Sequence, residues 1–139
     1  MPPRELPVWV RVLPPALVAG LWTLAAAWAR GRGFVELSDD DYARVTIAQA
    51  FAAHPRLDPS GTSWLPFPFW LTGAVMAVFG RSLAVARALS LVLAGASGAL
   101  VYLGGRRLGL GRQTAFFGAV LPLVIPLVPV LGAATVPRS

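Results

Sequence analysis

Long stretches without charge constrain this chain more than any other feature of its sequence. Residues 12–29 and 115–136 contain no charged side chain, and residues 83–103 contain only Arg87, near their start. A helix needs about 20 apolar residues to cross the roughly 30 Å hydrocarbon core of a bilayer. The sequence therefore predicts an all-α polytopic membrane protein with about three transmembrane helices, at 12–29, 83–103 and 115–136, in a single membrane domain over residues 1–139.

The charge composition agrees with this prediction. Charged residues make up 13% of the chain, which is about half of their share in a soluble domain. The net charge is +6, but the cations are arginines that flank apolar stretches without forming a basic face, so we expect no nucleic-acid partner. The chain has no cysteine, which excludes disulfides and thiolate metal sites.

The first apolar stretch has the position of a signal peptide, with arginines before it. It is longer than a typical signal-peptide core and ends in Trp28-Ala29-Arg30, which does not resemble a cleavage site. We therefore expect an uncleaved first span.

A loop of about residues 30–82 separates the first two predicted spans. Ser38 and Asp41 have the spacing of a capping box, and the helix that they begin is expected to end at Ala53, because a proline soon follows. The apolar run 65–79 has only about fifteen residues, which is short for a span. This run predicts an amphipathic or re-entrant helix at the membrane surface.

Arginines in short segments predict the orientation, because such residues are retained on the cytoplasmic side. The arginines in question are Arg4, Arg11, Arg106, Arg107 and Arg112. Two full spans lie between the first two of these arginines and the last three, so both groups of arginines are predicted on the same side of the membrane. The loop then faces outward from an inner or plasma membrane, although Arg30 and Arg32 count against this orientation.

Three neighbouring aspartates, Asp39, Asp40 and Asp41, are the clearest candidates for chemistry. Adjacent carboxylates repel one another, so one can have a raised pKa, or several can share a divalent metal ion. A carboxylate at the mouth of a membrane cavity can also deprotonate a hydroxyl group. The alternative interpretation is a well-capped, solvated start of a helix.

Four further side chains are considered as candidates for a specific role. Arg87 lies inside an apolar span, where a charge needs a partner or must reach the lipid headgroups. Trp64 and Trp70 belong to an aromatic cluster that suits either a membrane interface or a platform for a sugar. His54 has no second histidine or cysteine at ligand spacing, so it is interpreted as the end of a helix.

The order of these motifs resembles the beginning of a known class of enzyme. An amino-terminal span is followed by the acidic motif Asp39-Asp40-Asp41-Tyr42-Ala43-Arg44 and then by the aromatic segment 64–73. Two further segments follow, 79–90, which begins Phe79-Gly80-Arg81-Ser82, and 101–109. Over residues of about 8 to 136, this series is similar to membrane-embedded C-type glycosyltransferases. Among these enzymes, it resembles the dolichyl-phosphate-mannose–protein mannosyltransferase and aminoarabinose transferase group.

The resemblance implies transfer of a sugar from a polyprenyl-phosphate carrier to an acceptor on the outer face of the membrane. It implies that the catalytic or metal-associated carboxylate is Asp39 or Asp40, and it identifies neither the sugar nor the acceptor. Arg87, Trp64 and Trp70 are the candidate substrate-binding residues. Relatives have an acid-Lys-Pro-Pro stretch where Ser63-Trp64-Leu65-Pro66 stands here, so a second acid of the family is missing.

Members of that group continue through many more spans, whereas here Pro137 is followed by Arg138 and Ser139. We therefore expect a truncated piece of such an enzyme, inactive by itself. The alternative is a small non-enzymatic membrane protein that packs against a partner through the small residues at 94–99 of the second long span.

Overall fold

A computed structural model describes residues 7–34, 39–61, 64–125 and 128. This part of the chain is helical and contains no strand, which confirms the predicted all-α class. Five α-helices are present among the described residues, and a 3-10 helix, Leu121–Val124, follows the last of them. The α-helices are α1 (Val8–Gly31), α2 (Asp39–Ala53), α3 (Phe67–Phe79), α4 (Leu83–Arg107) and α5 (Arg112–Val120).

Helices α1 and α4 are long and apolar enough to cross a membrane. Within the chain only 17% of the apolar window of α1 and 22% of that of α4 are buried, whereas a core helix of a soluble protein is mostly covered. Leu24 and Leu100, for example, are each 67% exposed. The predicted spans 12–29 and 83–103 are therefore confirmed as membrane-length helices with outward apolar faces.

Two hydrogen bonds show that α1 and α4 run antiparallel. The Arg30 guanidinium donates to the carbonyl of Arg87 at 3.3 Å, and the Thr23 hydroxyl donates to the carbonyl of Leu91 at 3.4 Å. The later residue of α1, Arg30, thus contacts the earlier residue of α4, Arg87, and the earlier residue, Thr23, contacts the later one, Leu91. The end of α1 lies beside the start of α4.

Small residues of α4 allow this close approach. Ala94, Gly95 and Gly98 are buried, and a Cβ added at Gly95 would lie 2.5 Å from the Thr23 hydroxyl oxygen. At Gly98 an added Cβ would overlap the indole ring of Trp22. Small residues at such contacts are the common means by which membrane helices associate. Part of the face that was expected to receive a partner is thus covered by α1, whereas Ala96 and Ser97 are exposed.

Helix α5 lies beside α1 and runs parallel to it. The Arg112 guanidinium at the start of α5 donates to the carbonyl of Val10 at 2.6 Å, and the Trp22 indole donates to the carbonyl of Ala119 at 2.9 Å. Val18 is buried in the same contact. The starts of α1 and α5 and the end of α4 therefore meet, which places Arg11, Arg106, Arg107 and Arg112 at one end of the helices. The side of the membrane that this end faces stays a prediction.

The predicted third span, 115–136, does not form one continuous α-helix in the described residues. Helix α5 ends at Val120 and gives way to the 3-10 helix that contains Pro122. Proline has no N–H to donate and its ring clashes with the preceding turn, so the α-helix stops there. Residues 126–127 and 129–139 lie outside the described part.

Helices α2 and α3 pack against each other at the opposite end, beside the start of α4. Met76 of α3 is completely buried among Val45, Ala48 and Ala86. A Cβ added at Gly73 would lie 2.8 Å from the backbone carbonyl oxygen of Ala48, so this contact also requires a glycine. The predicted ends of α2 at Ala53 and of α3 at Phe79 are confirmed.

Candidate functional site

The three candidate aspartates are the first three residues of α2, since this helix begins at Asp39. Their side chains and the capping residue Ser38 lie outside the described part of the structure, so the capping box stays a prediction. The amino terminus of a helix carries a partial positive charge, which favours carboxylates there. Helix α2 is itself held by buried contacts of Val45 and Ala48. The aspartates therefore stand at the start of a fixed helix.

Trp64 contacts side chains of the protein itself. Its ring stacks on that of Phe69 with 6.0 Å between centroids and an interplanar angle of 19°. The Arg44 guanidinium carbon of α2 lies 5.9 Å from the Trp64 ring centroid, within the range of a cation–π contact. Phe69 is buried. Trp64 therefore ties the start of α3 to α2, which is a structural role in addition to the predicted role in substrate binding.

Trp70 is better placed to meet a ligand. It is 37% exposed and lines an open cavity of about 370 Å³, a volume within the usual range for ligand sites. The other lining residues are Phe51, Pro55, Arg56 and Leu57. The cavity thus combines apolar walls with one cation. Arg56 was not identified as a site residue from the sequence. Its position after the proline that ends α2 is the only local signal there.

Arg87 has two polar neighbours that the sequence did not reveal. The Arg30 guanidinium donates to the Arg87 carbonyl and, at 3.1 Å, to the Ser90 hydroxyl. The Ser90 hydroxyl in turn donates to the Arg87 carbonyl at 2.9 Å. Two cations therefore lie at one end of the α1–α4 pair, although 57 positions separate them in sequence.

The predicted site residues do not all meet. Among the described residues, no hydrogen bond or ring contact joins Arg87 to Trp64 or Trp70. All three lie at the end of the molecule where α2 and α3 pack on α4. The structure thus places them in one region without assembling them into one cluster.

A second cavity, of about 510 Å³, lies between the end of α2 and the end of α3. His54 and Arg81 line it together with Ala52, Ala53, Met76, Ala77 and Gly80. The interpretation of His54 as a helix end is confirmed, because α2 ends at Ala53 and the His54 amide donates to the Ala50 carbonyl at 2.9 Å. The proximity of Arg81 was not foreseen, since no local pattern in the sequence indicates it.

Within the described residues, no group of three or more His, Asp or Glu side chains could hold a metal ion. A divalent metal at Asp39, Asp40 and Asp41 stays a prediction, because those carboxylates lie outside that part. Comparison with known proteins gave no match: no protein-family model, no curated protein and no solved structure matches this chain.

Proposed function

We propose that this chain is the amino-terminal membrane part of a glycosyltransferase that takes its sugar from a polyprenyl-phosphate carrier. The observation that supports this proposal most is the position of Arg30 and Arg87 together at one end of two apolar, membrane-length helices. Guanidinium groups bind phosphate oxygens through paired N–H donors. The carrier has the matching chemistry, which is a phosphate at the end of a long apolar chain.

The outer faces of α1 and α4 suit the apolar chain of such a carrier. Leu17, Leu21 and Leu24 of α1 are exposed, as are Val92 and Leu100 of α4. A phosphate beside Arg30 and Arg87 leaves the isoprenoid chain free to follow these faces into the membrane.

The aspartates at the start of α2 complete the proposed chemistry. A carboxylate of Asp39 or Asp40 takes the proton of the acceptor hydroxyl. The acceptor oxygen then forms its bond to the anomeric carbon of the sugar. The bond from that carbon to the phosphate oxygen breaks, and the polyprenyl phosphate leaves with the electron pair. The Trp70 cavity, with its apolar walls and Arg56, is the proposed place for the sugar or the acceptor.

The alternative was a small membrane protein that binds a partner through the small residues of α4. Ala94, Gly95 and Gly98 are buried against α1. These three residues are therefore occupied within the chain, and Ala96 and Ser97 of the same stretch are exposed.

Binding of the carrier tests the proposal directly. In phosphatidylcholine nanodiscs, the chain is expected to bind a polyprenyl phosphate at least about tenfold more tightly than the matching polyprenol, because a hydrogen bond to a charged group is worth about 1.5–3 kcal/mol. Arg87→Gln should remove most of this difference. Arg107→Gln, which changes an exposed arginine at the other end of α4, is the matched control. Equal binding of the two lipids would contradict the proposal.

The proposed orientation is that of a multi-pass protein of the inner or plasma membrane, with α2 and α3 outside and α3 along the membrane surface. Single cysteines at Ser60 and at Gln113 lie at opposite ends of the helices. In intact cells, an impermeant thiol reagent is expected to label position 60 and to spare position 113. The reverse pattern would overturn the orientation.

A further inference from the structure

The cavity between α2 and α3 has no part in the proposed sugar transfer. Among the described residues that line it, His54 and Arg81 are the ionisable ones and none is a carboxylate. Both side chains are exposed, whereas Met76 on the cavity wall is completely buried. Arg81 is always charged, and histidine adds a second positive charge when it is protonated. The cavity is therefore electrostatically suited to an anion.

The backbone that carries Arg81 is held from several directions. Gly80 has a φ of +104°, a value that favours glycine, and its amide donates to the Met76 carbonyl at 2.9 Å. The Gln49 side chain of α2 donates to the Arg81 carbonyl at 3.2 Å. The Ser82 hydroxyl then caps α4 by accepting from the Val85 amide at 3.3 Å. Since this turn is ordered before any ligand arrives, binding there costs little conformational entropy.

Two exposed apolar residues stand in the sequence between Ala77 and Gly80, which both line the cavity. Ala77 lines it, and the next two residues of α3, Val78 and Phe79, are 75% and 74% exposed. A ligand that fits this arrangement carries an anionic head beside an apolar tail. Free phosphate would make no use of the apolar neighbours.

We propose that this cavity binds the phosphate headgroup of an anionic phospholipid, with Arg81 and His54 contacting the phosphate and the acyl chains lying along Val78 and Phe79. This site is separate from Arg30 and Arg87 and does not rest on the proposed sugar transfer. It attaches the end of α3 to the membrane surface and selects for anionic lipid there.

Native mass spectrometry tests this site by measuring ligand binding to the chain as it is released from detergent micelles. The ligands are phosphatidylglycerol, phosphatidylcholine and inorganic phosphate. We expect phosphatidylglycerol to bind at least about tenfold more tightly than phosphatidylcholine, with Arg81→Gln lowering this preference at least about tenfold. Ala77→Phe should block binding by filling the cavity without changing charge. The matched controls are Ala74→Phe, at an exposed position of α3 away from the lining, and Arg107→Gln.

Circular dichroism must first show unchanged helix content in each variant, so that a loss of binding does not reflect a loss of folding. Competition by millimolar inorganic phosphate would identify free phosphate as the ligand and overturn the assignment to a lipid. Equal binding of the two phospholipids would overturn the anion site, as would equal losses in Ala77→Phe and Ala74→Phe. Loss confined to Arg81→Gln and Ala77→Phe supports the proposal.

Discussion

Alanine at Asp39 or Asp40 is expected to lower sugar transfer by about 10²–10⁴-fold, the usual cost of losing a general base. Asp41→Ala should instead cost about 1 kcal/mol of stability, the usual value of a helix cap, with little loss of rate. Helix α2 begins at Asp39, so Asp41 is the third residue after Ser38, where a capping box has its acid. Successive helical positions point about 100° apart, so the three residues cannot all face one cavity.

The measurement is the transfer rate in a full-length enzyme of this type that carries residues 30–82 as its first loop. Asp58→Ala removes a carboxylate from the same loop and serves as the control. Asp58 accepts hydrogen bonds from the Ser60 hydroxyl and the Gly61 amide within a turn. Near-normal rates for both Asp39→Ala and Asp40→Ala, at normal expression, would leave these carboxylates without a catalytic role.

Gly98→Val is expected to destabilise the chain by about 1–3 kcal/mol or more, the usual cost of overpacking. The added side chain would overlap the indole of Trp22, which lies in the α1–α4 contact and donates to Ala119 of α5. The substitution therefore disturbs three helices through one ring. Gly104→Val is the matched control, because it lies in the same helix and its added Cβ would meet no atom within 4 Å.

Thermal unfolding in detergent, followed by circular dichroism and tryptophan fluorescence, measures this difference. Gly98→Val should lower Tm clearly, whereas Gly104→Val should leave it nearly unchanged. In a Trp22→Ala background the effect of Gly98→Val should shrink, because the two positions are in direct contact. Equal Tm values for the two glycine variants would show that this contact does not limit stability.

The site could be predicted only in part. The position of the aspartates at the start of α2 follows from the local signals of Ser38 and Asp41, and the structure begins α2 where these signals indicate. Arg30 reaches the carbonyl of Arg87 across two helices, and His54 and Arg81 line one cavity although 27 positions separate them. Such pairs depend on how whole helices pack, so no short stretch of sequence contains them.

Short stretches of sequence were enough to predict the features that depend on a few neighbouring residues. Uninterrupted apolar length made α1 and α4 long enough to cross a membrane, and a proline or a glycine set the ends of α2 and α3. Packing between helices determines which face of α4 is covered and how the break at Pro122 is stabilised. That break lies one turn beyond Ala119, whose carbonyl accepts from Trp22, 97 positions away. Carbonyls in the last turn of a helix lack helical donors, and only packing brings a donor from another helix to them.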